Sequence, residues 1–278
     1  MKDTVKKYGE WAVITGGSAG IGLAFAHELA AKGHNLVLVA RGQKALDASA
    51  LKLKAQHKID VVTIAMDLTA VNAPSDLYEK TKDIAPGLVV LSAGSETTGH
   101  FTKVALNAHS NLINLNIQVP AALARLYGAD MIQRGRGGIV FLSSLFGYQG
   151  VPLVANYAAS QAYILTLGEA LHVEMKPHGV DVLVVSPGLT KTNMPAQMPV
   201  DFWKMPITKH QPVKVARVGL RALGRKASVV PGYVNKVFAF ENRFLPRLWP
   251  TKMFGFLLKN ALYKDQKPKL LNAVARRS

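Results

Sequence analysis

Cysteine is absent from all 278 residues. Its absence excludes a disulfide framework, a thiolate metal site and a cysteine nucleophile, and it is compatible with a reducing compartment. No uninterrupted apolar run reaches the length of a membrane span, because Gly, Pro or charge interrupts each candidate within a few residues. The opening MKDTVKKYGE has lysines but no apolar stretch behind them, so no secretory leader is expected. The expected location is cytoplasmic, with membrane association as an added expectation. Histidines show no paired spacing with carboxylates, so no metal site is expected.

Acidic residues are also scarce: 17 Asp and Glu stand against 34 Lys and Arg, for a formal charge of +17. Such an excess suits nucleic acid, an anionic membrane surface or anionic ligands. Its distribution discriminates among these. From Glu241 to the end, nine Lys or Arg face two carboxylates and interleave with Phe244, Leu245, Trp249, Phe254, Phe256, Leu257 and Leu258. That mixture suits a lipid headgroup boundary better than a base-reading surface, so peripheral membrane contact is expected and nucleic acid is not. The plainer alternative is that these aromatics pack on the main domain or on a sister subunit.

About half of the chain is hydrophobic, enough for a sizeable α/β core. Val/Ile/Leu runs at 11–15, 35–40, 59–66, 87–93, 137–144 and 179–186 read as strands buried on both faces, separated by helical stretches. This alternation predicts a Rossmann-like, doubly wound parallel sheet with helices on both faces. A further helix over about 212–226 and a short strand at SVVPG would complete it. The expected organisation is one domain, 1–240, with a flap at 189–212, and a basic, aromatic extension at 241–278 that is not an independent domain. Pro195, Pro199, Pro206 and Pro212 mark the flap, and Met194, Met198 and Trp203 within it are candidates to line an apolar substrate pocket.

TGGSAGIG, residues 15–22, follows the first predicted strand. Gly16, Gly20 and Gly22, with Ser18 and Ile21 between them, would form a tight turn at a helix N-terminus, a cradle for a pyrophosphate. Where an acidic residue at the end of the second strand would bind a ribose 2′-hydroxyl, this chain has Ala40 and then Arg41. A guanidinium there favours a 2′-phosphate, hence NADP(H).

With MDLT at 66–69, SAG at 92–94, NLNIQVP at 114–120, the serines at 143 and 144, Tyr157 and SPGLTKTNM at 186–194, the chain resembles the short-chain dehydrogenase/reductases over about residues 9–194. The entry KYGEWAVITGG is similar to the branch of 17β-hydroxysteroid dehydrogenases and 3-ketoacyl reductases. The resemblance implies a catalytic group of Asn116, Ser144 and Tyr157, with Ser144 also touching the substrate. It implies cofactor contacts from Asp67, Ala93, Gly94, Pro187, Gly188 and Thr192, together with Tyr157 and the residue at 161. It also implies a homodimer or homotetramer paired through long helices at roughly 103–133 and 154–176.

The family's lysine position is occupied by Gln161. An unperturbed tyrosine has a pKa of about 10 and is a sluggish base without a cation to stabilise its phenolate. Residue 161 lies four positions after Tyr157, on the same helix face. A glutamine there can still hydrogen-bond the ribose, but it carries no charge. The expected activity is therefore NADP(H)-dependent reduction of a ketone or aldehyde on a hydrophobic substrate such as a steroid, fatty acyl or polyketide-like molecule, slow or biased toward reduction. Two alternatives stand beside it. One is a fold that binds NADP(H) without redox turnover, as a sensor or scaffold; the other is a lipid-surface protein. Lys191 and Lys103 are candidates for a substitute cation.

Overall fold

Strands with apolar side chains on both faces need cover on both faces. The computed structural model, which describes residues 3–192, 208–241 and 244–261, provides it around seven parallel strands. These are β1 (Trp11–Thr15), β2 (Asn35–Ala40), β3 (Val61–Ala65), β4 (Leu88–Leu91), β5 (Gly137–Leu142), β6 (Val180–Val185) and β7 (Ser228–Val229), in the order β3-β2-β1-β4-β5-β6-β7. The order reverses between β1 and β4. Such a switch point opens a crevice at the carboxyl ends of the strands.

Among the described residues the helices are α1 (Asp3–Tyr8), α2 (Gly20–Ala30), α3 (Gln43–Gln56), α4 (Ala73–Thr81), α5 (Leu106–Ile113), α6 (Val119–Gln133), α7 (Ala155–Met175), α8 (Pro212–Ala222), α9 (Tyr233–Phe240) and α10 (Leu248–Ala261). Phe25, Leu29, Leu46, Leu53 and Val215 from α2, α3 and α8 cover one face of the sheet. Leu77, Leu123, Tyr127, Met131 and Ile164 from α4, α6 and α7 cover the other. None of the described helices is long and apolar enough to cross a membrane.

The expectation of fully buried strands fails at β3. It is an edge strand, Val62 is 45% exposed, and Thr63 and Ile64 are only half-buried. One strand neighbour and incomplete helix cover are the reasons. A second difference is α1, which the sequence reading did not place. It is pinned to the sheet by Tyr8, whose hydroxyl donates to Asp181 Oδ2 at 2.9 Å, and by the Lys7–Asp181 ion pair. The helix expected over 212–226 ends at Ala222.

The long central helix is interrupted by a π-turn at Asn114–Gln118 between α5 and α6. Such turns often occur at functional sites because the extra residue re-aims its neighbours. Here it leaves Asn116 buried. A third apolar cluster lies past the carboxyl ends of β5, β6 and β7, where Phe254, Leu258 and Ala261 of α10 pack with Leu145, Phe146, Val151, Val154 and Ala158. Burying Phe254 and Leu258 contributes on the order of 2 kcal/mol each. The basic extension thus begins with a helix seated on the dinucleotide-fold core.

Candidate active site

Thr15 closes β1, and its hydroxyl accepts hydrogen bonds from the amides of Ser92 at 3.0 Å and Ala93 at 3.1 Å. These bonds tie the ends of β1 and β4 together at the switch point. The glycine turn follows directly. Gly16 has φ +67° and sits so close to the next strand end that a Cβ would lie 3.1 Å from Ala93 N. At Gly22 a Cβ would lie 2.3 Å from the Gly16 carbonyl oxygen. Any side chain there would push α2 off the turn. Ala19 precedes α2 and supplies no side-chain cap, so the first-turn amides are left for another acceptor.

A cavity of about 840 Å³ opens above this turn. Gly16, Ser18, Gly20 and Ile21 form one wall, with Arg41 and Asp67 at the ends of β2 and β3. Ala93, Gly94, Asn116, Ser144, Tyr157 and Gln161 lie along it, and Pro187, Gly188 and Thr192 close it. Gly22 lies behind the turn rather than on the cavity surface. Met194, Met198 and Trp203 lie outside the described residues. The two ends of the expected flap are joined: Lys191 N donates to His210 O and His210 N donates to Leu189 O, both at 2.9 Å.

Asp67 Oδ1 accepts from the Thr69 amide at 2.9 Å and from its hydroxyl at 2.8 Å. These bonds, with the Arg41 charge nearby, hold its carboxyl below the usual range. Arg41 itself is exposed.

Ser144 ends the β5 loop, and its Oγ accepts from Phe146 N at 3.2 Å. Tyr157, in the first turn of α7, lines the same cavity as Ser144, close enough for the serine side chain to act on its phenol. Gln161, one turn on, is buried. Its backbone carbonyl accepts from Ser143 Oγ at 2.8 Å and its side-chain Nε2 donates weakly to Ser160 Oγ at 3.4 Å. Ser160 Oγ donates to Tyr157 O at 2.7 Å and accepts from Asn116 Nδ2 at 3.1 Å. Asn116 thus reaches the tyrosine's backbone through one serine. On its other side it clamps Ser95, accepting from Ser95 N at 2.9 Å and donating to Ser95 O at 2.8 Å.

That clamp fixes a residue the sequence reading missed. Glu96 follows Ser95, lines the same cavity and accepts a hydrogen bond from Thr98 Oγ1. Burial raises its carboxyl pKa, and the Thr98 bond works against that rise. No motif flags an isolated glutamate two residues past a Ser-Ala-Gly turn. Its effect falls on Tyr157, whose phenol is held above its usual range by burial first, with the Ser144 side chain opposing and Glu96 pushing the same way as burial. Neither candidate for a substitute cation lines the cavity: Lys191 and Lys103 are exposed and lie outside its described lining. Where a cation was anticipated beside the tyrosine, the nearby side chains are a neutral glutamine and a carboxyl.

Residues 10–201 match the family model for short chain dehydrogenases. The chain belongs to this family. It is 30% identical over 242 residues to the 7beta-hydroxysteroid dehydrogenase of Clostridium sardiniense, covering 87% of this chain and 93% of that protein. It is 34% identical over 246 residues to the very-long-chain 3-oxoacyl-CoA reductase of Bos taurus, covering 86% and 76%. Both fit the hydroxysteroid and ketoacyl branch that KYGEWAVITGG resembles. Among solved structures, a short-chain dehydrogenase from Sphingobium yanoikuyae in complex with NADPH superposes with a TM-score of 0.75 at 27% identity, covering 84% of this chain and 93% of that one. A 7beta-hydroxysteroid dehydrogenase structure reaches 0.82 at 24% identity over 90% and 98%, a likeness of fold alone.

Proposed function

We propose that this short-chain dehydrogenase is an NADP(H)-dependent oxidoreductase that reduces a ketone or aldehyde on a hydrophobic molecule. The observation that carries the reading is that Ser144 and Tyr157 share the wall of one cavity with the glycine turn and Arg41. The residues present fit a dinucleotide phosphate: close glycine backbone, uncapped helix amides and a guanidinium, with no acid at the end of β2. When bound, the cofactor supplies the hydride. Tyr157, kept protonated by burial, supplies the proton to the carbonyl oxygen, and Ser144 donates a second hydrogen bond to that oxygen. Asn116 holds the loop that carries Ser95 and Glu96, and Gln161, which lines the cavity, would hold the cofactor's ribose through its amide. The cavity and its apolar side chains Leu145, Phe146 and Leu189 suit a steroid, acyl or polyketide-like substrate.

A fluorescence titration tests the cofactor assignment. NADPH is expected to bind more tightly than NADH, and Arg41→Ala to weaken NADPH by about tenfold, the worth of one charge-assisted contact, with little change for NADH. Equal binding of the two cofactors, unaffected by Arg41→Ala, would remove the NADP assignment. A second reading, cofactor binding without turnover, is favoured by the neutral Gln161. It predicts NADPH binding with no oxidation of NADPH by any hydrophobic carbonyl.

Subunit pairing through α5–α6 and α7 belongs to the same reading. Leu106, Tyr163 and Val173 are exposed on these helices, while Ala124 and Ala158 turn into the core and Ala159 turns outward.

A further inference from the structure

The last two described helices each bury one stripe and expose another. On α10, Pro250, Phe254, Leu258 and Ala261 face inward. Trp249, Lys252, Phe256 and Lys259, spaced three, four and three residues apart, face solvent along one side. Trp249 is 63% and Phe256 66% exposed. On α9 the outward positions are Tyr233, Lys236, Val237 and Phe240, with Asn235 and Ala239 turned in. The rings of Phe240 and Phe244 meet at 5.1 Å, so the apolar surface continues from α9 toward α10, where Phe244 and Leu248 are also exposed. Scattered exposed apolar residues are ordinary; a continuous run of aromatics rimmed by charge marks an interaction surface.

The charge selects the occupant. Across 233–261 there are five Lys or Arg and a single acid, Glu241. A two-fold contact with a second copy would oppose Lys252 and Lys259 to their own equivalents with almost no carboxylate to pair them. Trp, Tyr and Phe interleaved with Lys and Arg on one helix face is instead the composition of a surface seated at the headgroup level of a bilayer. We infer that the outward face of α9 and α10 docks the protein on an anionic lipid surface, with the aromatic rings in the interface and the cations on the headgroups.

This surface is coupled to the cavity through packing. Phe254 beneath it meets Phe146 at 5.7 Å, and Phe146 lines the cavity. Leu189, another lining residue, packs on the same cluster as α10. A protein seated this way holds its cavity one helix layer from the lipid, where a substrate of long apolar chain is concentrated. That consequence rests on the proposed function; the docking itself does not.

Co-sedimentation of the full chain with vesicles of phosphatidylcholine, with and without phosphatidylglycerol, tests it. Binding is expected to the anionic vesicles, to weaken as salt rises, and to shift the Trp249 emission to the blue. Trp249→Ser combined with Phe256→Ser is expected to weaken binding by at least about tenfold, given the apolar area removed. Lys252→Ser combined with Lys259→Ser is expected to weaken it by on the order of tenfold. Retained NADPH binding and an unchanged circular dichroism spectrum establish that the variants fold. Three results overturn the inference. They are no binding to anionic vesicles, binding untouched by the aromatic pair, and an aromatic variant that splits a dimer while lipid binding was never present. Because the readout is lipid and not turnover, failure here leaves the reductase reading standing.

Discussion

Tyr157→Phe is expected to lower carbonyl-reduction turnover by about a hundredfold to ten-thousandfold, the usual worth of a positioned acid. NADPH affinity should be nearly unchanged. The loss is specific because the substitution removes one oxygen and little else. The ring remains packed beside the Val154–Phe254 cluster, and Ser144 Oγ keeps its Phe146 amide donor at 3.2 Å. The backbone carbonyl of residue 157 still accepts from Ser160. Losing one partly buried hydrogen bond costs about 1 kcal/mol of stability, so thermal denaturation should move by only a few degrees. Steady-state kinetics beside a cofactor titration separate the outcomes. Retained turnover would show that the proton comes from elsewhere, and Glu96, on the same cavity wall, would be the next group to replace.

Gln161→Lys is expected to raise alcohol oxidation at pH 7 to 8 by about tenfold to a hundredfold. The sign follows from the charges around the phenol. Oxidation needs the phenolate as base, and Tyr157 is held protonated by burial with Glu96 adding to the effect. A cation on the next turn of α7 favours the phenolate and lowers the phenol pKa by about one to two units. The rising limb of the pH profile for oxidation should move toward acid by that amount. Glu96→Gln removes a charge that disfavours the phenolate, so it should move the limb the same way by less. Both directions cross one transition state, so kcat/KM at a fixed pH must change in both. The lysine is therefore diagnosed by where the limb lies, more than by the ratio of the two rates. A profile that does not move in either variant would show that Tyr157 is not the titrating group.

Most of the sheet was legible because its strands are continuous Val/Ile/Leu runs bounded by glycine or polar residues; β1 and β2 keep the expected bounds, and β3 to β6 are each shorter by two or three residues. The edge position of β3 was not legible. Its sequence, VVTIA, is as apolar as its neighbours, and only the strand order leaves Val62 exposed. The glycine turn could be read because a backbone close approach demands glycine at fixed spacing. The Asn116 position was reachable through resemblance, but its partners were not, since Ser95 and Ser160 are separated from it by 21 and 44 residues.

The sequence by itself determined the alternation of strands and helices, the nucleotide turn, the tyrosine without its lysine, and the excess of positive charge. The first three are local, a matter of residue identity and spacing within a segment, and the charge is a sum over residues that needs no fold. The tertiary structure alone decided that Glu96 shares a cavity with Tyr157, that Asn116 holds the loop carrying it, and that α10 buries Phe254 while exposing Trp249 and Phe256. Those outcomes depend on which faces meet when distant segments pack, and single-segment patterns do not encode distances between segments.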